Sequence, residues 1–482
     1  MLEKVSTGHS ELDHVVDHLR LGDNVVWQID DLERYRQYVS LFVKQAVAQK
    51  RPLYYFRFGS HRPLISSEIE PDAVTICKPR ADSGFESFAS EVHSLIRQAG
   101  KGAFYVFDCL SDLLESWSSD LMIGNFFRIT CPYLFKLDTV AWFCLMRGQH
   151  SFDTIARIRD TTQLLLDLYH IGGHDYLHPL KVWQRYSPSM FLPHSLDENS
   201  CQPLTSSADA AALFASVQTR AQQAERQIDF WDRLFLTAEQ ASQICEQQDP
   251  ESDPYCRRIF DRLCSLLIGD SVQIVELVRR WLTLSDLIDI SRRQIASGKI
   301  GGKAVGMLLS RKIADPLMST DSVLRPEPHD SYYLGSDLFY TYIVHNDCWQ
   351  LRMEQKTPEG YFTKAAELQQ QILHGSFPES IRERFQQLLE YYGQSPIIVR
   401  SSSLLEDDFG NAFAGKYESI FCAGQGTPED RAEKFEQAVR QVYASMFDES
   451  ALMYRFQRGL DTRDEQMALL VQRVSGSYHG NK

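Results

Sequence analysis

Arg400 closes a short apolar run, Ile397-Ile398-Val399, and is followed by three small hydroxyl residues, Ser401 to Ser403. Such a run reads as a buried strand. A guanidinium delivered to its end can grip phosphate oxygens in bidentate fashion. Next come an acidic turn, Glu406-Asp407-Asp408, and a loop carrying Gly410 and Gly415 around Asn411, Ala412, Phe413 and Ala414. Glycines there let backbone N–H groups approach the same anion closely. Far upstream, Gly301-Gly302-Lys303-Ala304 opens a helical pattern running through Met307 to Lys312. Small residues at a helix N-terminus admit a phosphate, and Lys303 adds a point charge. On spacing alone each piece has a plainer reading: a surface hairpin with a solvated arginine, and a glycine-initiated helix.

The order of these pieces adds to their weight. VRSSSLLEDDFGNAFAGKYES, from Val399 to Ser419, resembles the VRSSA-x-ED-x(n)-SFAGQ-x-ES signature of phosphoenolpyruvate synthase and pyruvate phosphate dikinase, in their nucleotide-binding domain of ATP-grasp type. The similarity continues through Ile300-Gly301-Gly302-Lys303-Ala304, which is like that family's GGK-[GN]-A. Downstream it takes in Ala444-Ser445-Met446-Phe447, Tyr454-Arg455 and Val471-Gln472-Arg473-Val474.

The resemblance implies that Gly302, Lys303, Arg400 and Ser401 meet the ATP phosphates, that the Gly410–Gly415 loop folds over them, and that backbone near Gln472 and Val474 pairs with adenine. It implies no catalytic residue and no metal ligand in this chain. In the family the acidic magnesium ligands lie in a second lobe, followed by a phosphohistidine domain and a pyruvate-binding barrel. The sequence stops at Ser477-Tyr478-His479-Gly480-Asn481-Lys482 without them. Within an intact protein the expectation is therefore a kinase of pyruvate, water dikinase type, passing phosphate from ATP through a carrier histidine to pyruvate or a related acceptor. By itself the chain is expected to be inactive. The alternative is a standalone, non-enzymatic module that senses nucleotide or tethers a partner.

The elements that must position this site fall into three stretches. Over 482 residues, with 43% hydrophobic and 24% charged residues, the composition is ordinary for globular domains and too long for one core. No apolar run approaches the ~18 residues of a membrane span. The N-terminus MLEKVSTGHSELD lacks the basic and apolar regions of a secretory signal, and a cytoplasmic location is expected. The ten cysteines form no CxxC pair and read as buried free thiols. A net charge of −14 argues against a nucleic-acid partner. Expected partners are ATP, downstream phosphohistidine and pyruvate-binding domains, and a second copy in a homo-oligomer.

Residues 1–200 alternate apolar runs at 24–29, 53–58, 73–77, 103–108, 139–146, 164–169 and 180–186 with helical patterns such as 32–48 and 86–98. Near-continuous apolar strands alternating with helices predict a parallel sheet covered on both faces. Val5-Ser6-Thr7-Gly8, with Leu12-Asp13 and then Leu21 to Ile29, is similar to the start of RecA-like ATPase domains of the circadian-clock type. That family's first strand leads into a G-x4-GK-[ST] loop. Here Asp30-Asp31-Leu32-Glu33-Arg34 follows, with no glycine and no lysine, so backbone amides cannot wrap a phosphate and two aspartates would repel it.

The stretch is expected to be a pseudo-ATPase used for packing or partner binding. Ala103 to Asp108 resembles a Walker B strand, with Asp108 expected to cap the following turn. His170, His174 and His178 would align for a metal on a helix. Gly172-Gly173 and Pro179 break any helix there, which leaves a polar loop between strands. Met146 to His150 at a strand end offers a residual site without specific support.

Pro193 to Pro203 reads as a linker. Residues 201–298 then read as a helical connector, with an amphipathic stripe from Leu213 to Leu234 and a capping box at Thr237-Ala238-Glu239-Gln240. Residues 299–482 form the nucleotide-binding stretch, with helices over 364–374, 378–392 and 427–447 and a strand over 467–474. The expected fold class is α/β multidomain: a RecA-like parallel sheet with helices on both faces, a helical connector, and the α+β first lobe of an ATP-grasp.

Overall fold

The computed structural model describes residues 3–66, 73–117, 119–197, 200–217, 228–245, 253–317, 330–406 and 415–475. The chain divides into two compact units, Met1–Arg233 and Leu234–Lys482, both α/β.

Unit 1 is built on β1 (Asn24–Ile29), α1 (Leu32–Ala48), β2 (Leu53–Phe56), β3 (Thr75–Cys77), α2 (Phe85–Ala99), β4 (Phe104–Cys109), α3 (Asp120–Lys136), β5 (Val140–Met146), β6 (Leu164–Ile171), β7 (His174–Val182), β8 (His194–Asp197) and β9 (Ser200–Pro203). These strands make one nine-stranded sheet in the order β9-β8-β7-β6-β1-β5-β4-β2-β3. From β6 to β3 every pairing is parallel. From β6 to β9 every pairing is antiparallel.

From β6 to β4 both faces of the parallel part are buried, as its continuous apolar strands require, while the edge strand β3 is largely exposed. On one face Phe42 of α1 stacks on Trp142 at 4.5 Å and on Phe104 at 5.6 Å. On the other, Phe107 stacks between Phe56 and Phe143 at 4.5 and 4.4 Å, and Phe127 of α3 closes on Phe143 at 5.0 Å.

Three expectations change in this unit. The three histidines do not lie in a polar loop. Gly172 and Gly173 alone form the turn, both at positive φ, and Ile171 already pairs with His174. A two-residue turn of that kind needs left-handed backbone, which glycine supplies. Pro179 stays in the strand because it sits at a register shift, where its missing N–H removes no ladder bond. Pro193 to Pro203 is no linker. It forms the β8–β9 hairpin that extends the sheet. Asp108 does not cap the following turn but accepts bonds from the preceding one: Arg57 at 2.5 Å, the Phe58 and Gly59 amides at 2.9 and 2.8 Å, and the Tyr55 hydroxyl. Its parallel neighbour β2 ends beside it, so its nearest donors come from that strand's loop rather than from its own.

The chain continues through α4 (Ser207–Val217) and α5 (Phe230–Cys245). Thr237 to Gln240 lie inside α5, so no capping box forms there; capping boxes do join Thr283 with Asp286 and Thr427 with Asp430. Unit 2 holds α6 (Pro254–Leu267), α7 (Val272–Trp281), α8 (Leu284–Arg292), β10 (Gln294–Ile295), α9 (Gly302–Ala314), β11 (Ser331–Leu334), α10 (Ser336–His345), α11 (Ala365–His374), α12 (Glu379–Tyr392), β12 (Ile397–Ser403), β13 (Ser419–Cys422), α13 (Pro428–Ser445), α14 (Glu449–Gln457) and β14 (Met467–Arg473).

Its five-stranded sheet runs β10-β11-β14-β12-β13, with only the β10–β11 pair parallel. The strand that closes the described chain, β14, is thus the central one. Among the described residues eight cysteines are free and buried. Cys256 is disulfide-bonded, which corrects the free-thiol reading at that position. A disulfide depends on proximity in the fold, which sequence spacing does not reveal.

Candidate functional site

The site is assembled where the N-terminus of α9 meets the end of β12. Gly301 has φ +81°, and a β-carbon there would lie 1.4 Å from the Ser402 carbonyl oxygen. At Gly302 it would lie 1.9 Å from the Glu406 carbonyl oxygen. Both glycines are therefore demanded by the close approach of helix and strand. The contact is pinned by the Ala304 amide donating to Ser402 Oγ at 3.1 Å and by Ser402 Oγ donating to the Ile300 carbonyl at 2.9 Å.

This approach places Lys303 beside the strand end. Its Nζ lies 2.8 Å from Ser401 Oγ and 2.8 Å from Glu406 Oε1. Glu406 is buried and also accepts from the Ser401 hydroxyl at 3.0 Å and the Ser403 amide at 2.9 Å. Burial pushes its carboxyl above the usual range, and the Lys303 charge offsets that only in part.

Arg400 and Ser401 are neighbours on the strand and project to opposite faces. Arg400 Nη1 donates to Gln472 Oε1 at 3.3 Å, and no carboxylate pairs with it among the described residues. Gln472 Nε2 contacts Met307 Sδ and Ser331 Oγ at 3.0 and 3.3 Å. Lys303 is thus held on the Ser401 side and Arg400 on the Gln472 side, with no shared contact among the described residues. The backbone of Gln472 pairs with β11 and β12, and the Val474 amide donates to the Pro396 carbonyl at 2.9 Å. Gly415 has φ +70°, a conformation that favours glycine, and Gly410 lies outside the described residues.

A cavity of about 280 Å³ opens beside α9, lined among others by Lys299, Gly302, Gly306, Glu406, Arg463 and Asp464. Behind it, Glu465 accepts from the Tyr417 hydroxyl at 2.5 Å and from Ser403 Oγ at 2.7 Å, and forms a buried ion pair with Arg455. Sequence reasoning assigned no role to Glu406, Glu465 or Tyr417. The one available signal was the S-x-x-E spacing of Ser403 and Glu406, the spacing at which a carboxylate reaches back to a backbone amide.

Just beyond β1, unit 1 carries charges of its own. Asp31 caps α1, accepting from the Glu33 amide at 2.7 Å. Arg147 bonds Asp30 at 2.7 Å, Asp167 at 2.8 Å and the Gln28 and Leu168 carbonyls at 3.1 and 3.0 Å. Its guanidinium also lies 3.9 Å above the Tyr169 ring. Arg147 is thus an internal, neutralised cation. Among the described residues no three His, Cys, Asp or Glu side chains gather as a metal site, and no helix is long and apolar enough to cross a membrane.

Residues 297–480 match the family described as pyruvate phosphate dikinase, AMP/ATP-binding domain. A stretch of 119 residues, 24% of this chain, is 29% identical to a phosphoenolpyruvate synthase of Pseudomonas aeruginosa (strain UCBPP-PA14). That stretch covers 14% of the relative's length. Both similarities support a nucleotide-binding module related to phosphoenolpyruvate synthase, with ATP as its ligand.

Proposed function

We propose that unit 2 binds ATP, with its phosphates at the junction of α9 and β12. The observation that carries this is Arg400: a guanidinium midway along strand β12, rather than at its end as the apolar run suggested, without a carboxylate partner among the described residues, inside the stretch that matches an AMP/ATP-binding domain. Arg supplies a planar fork suited to phosphate. Lys303, with Gly302 at the helix start and Ser401 on β12, adds a second positive position; Gly410, outside the described residues, and Gly415 are assigned to the same phosphate subsite. Adenine lies toward Gln472 and Val474, and magnesium arrives with the triphosphate.

In this reading residues 299–482 are the first lobe of an ATP-grasp and residues 201–298 a helical connector. Residues 1–200 are a RecA-like pseudo-ATPase domain. The parallel part of the sheet, from β6 to β3, supports that assignment, and Arg147 beside the end of β1 supports the loss of activity. Joined to phosphohistidine and pyruvate-binding domains, the module would supply phosphoryl groups from ATP.

A second reading, a non-enzymatic nucleotide-sensing or partner-binding module, is favoured by one observation. In unit 1 Arg147 is tied to Asp30 and Asp167 beside the end of β1, an arrangement that suits packing or partner binding. Calorimetric titration of the chain with magnesium ATP tests the binding common to both readings.

A further inference from the structure

We propose that Glu406 is a positioning residue of the phosphate subsite: an internal counter-ion that holds Lys303 in place and yields it to an incoming phosphate. This rests on the ATP-binding reading of unit 2.

The geometry argues for a hand-over. An ammonium offers three donors. Two are used, by Ser401 Oγ and Glu406 Oε1, each at 2.8 Å, and the third has no partner among the described residues. The side chain of Lys303 is 22% exposed and that of Glu406 only 1%. An anion from solvent therefore reaches the ammonium without displacing the carboxylate first.

Once phosphate is bound, two anions share one cation, and the buried one suffers most because it lacks solvent. Glu406 then takes up one proton from solvent and becomes a neutral carboxyl. It still accepts from the Ser403 amide and now donates to Ser401 Oγ instead of accepting from it, so what Glu406 gives up is its bond to Lys303, and the Ser401 hydroxyl hydrogen is freed. Around it stand Lys303 from α9, Ser401 and Ser403 from β12, Tyr417 and Glu465 behind Ser403, and Arg463 and Asp464 across the cavity. Only Lys303 forms an ion pair with it among the described residues. The upward push of burial on its carboxyl is consistent with easy protonation.

The test is titration with magnesium ATP at neutral pH in two buffers of unlike protonation enthalpy, which counts protons taken up on binding. The titration of ATP's own terminal phosphate is common to all variants and cancels in a comparison. Wild type should take up more protons per ATP than Glu406→Gln, by a margin approaching about one. A merely structural role would not move this count. If Glu406→Gln fails to fold, Lys303→Met serves instead: its Glu406 has no cation to lose, so the extra uptake should vanish while affinity falls. Equal proton counts in wild type and variant overturn the proposal while leaving ATP binding intact. Absence of any ATP binding to wild type overturns the binding reading and the proposal with it.

Discussion

Gly302 stands so near the Glu406 backbone that a β-carbon would lie 1.9 Å from its carbonyl oxygen, whereas a β-carbon at Gly306, one turn on, would meet nothing within 4 Å. The two glycines of α9 thus have different reasons to exist. Gly302→Ala must push helix and strand apart and should destabilise unit 2 by about 1–3 kcal/mol. Gly306→Ala should stabilise the helix by about 0.5–1 kcal/mol. Denaturant unfolding of both variants checks the contrast, and equal effects would contradict it.

Asp108 is wholly buried and binds Tyr55, Arg57 and two backbone amides. Asp108→Asn leaves the Arg57 charge without its partner, and breaking a buried pair costs about 3–5 kcal/mol. The variant should unfold at lower denaturant while ATP affinity, a property of the other unit, stays unchanged. Comparing unfolding curves with ATP titrations of the same preparation separates the two effects.

His93 bonds Thr130 Oγ1 at 3.1 Å, and burial, with Arg97 adding, holds its imidazole down to about 4 from 6.5. Below the unfolded value the denatured chain binds a proton that the folded chain refuses, so stability falls with falling pH. The loss runs from about pH 6.5 to about pH 4 and totals roughly 3 kcal/mol. Asp337, which burial raises to about 6, works in the opposite sense over part of this range. The clean measurement is therefore the difference in unfolding free energy between wild type and His93→Gln across pH. That difference should change over this window and level off at neutral pH.

The sequence was most readable where one force decided the outcome. Continuous apolar runs placed β1 and β5, and helical periodicity placed α1 and α12, because burial alone fixes such elements. It was least readable where a residue's partner comes from far along the chain. Asp108 followed its strand like a cap, yet its donors come from residues 55 to 59. Thr237 to Gln240 had the spacing of a helix start, but the apolar stripe of α5 runs through it. Ser331 to Val344 carries aromatic strand formers on both sides of the Gly335-Ser336 turn, yet only Ser331–Leu334 is a strand. Past Gly335, where a β-carbon would lie 2.1 Å from the Ser297 carbonyl oxygen, the chain continues as α10. At the site, Arg400 and Lys303 were legible as cations. That Lys303 is already neutralised was not, since Glu406 lies 103 residues away and only the helix–strand contact brings it close.

The central claim is that unit 2 binds ATP through Arg400, and titration calorimetry of wild type and Arg400→Ala with magnesium ATP tests it most directly. Losing charge-assisted hydrogen bonds of about 1.5–3 kcal/mol should weaken binding by roughly tenfold to a hundredfold. Equal affinity of the two proteins would contradict the account.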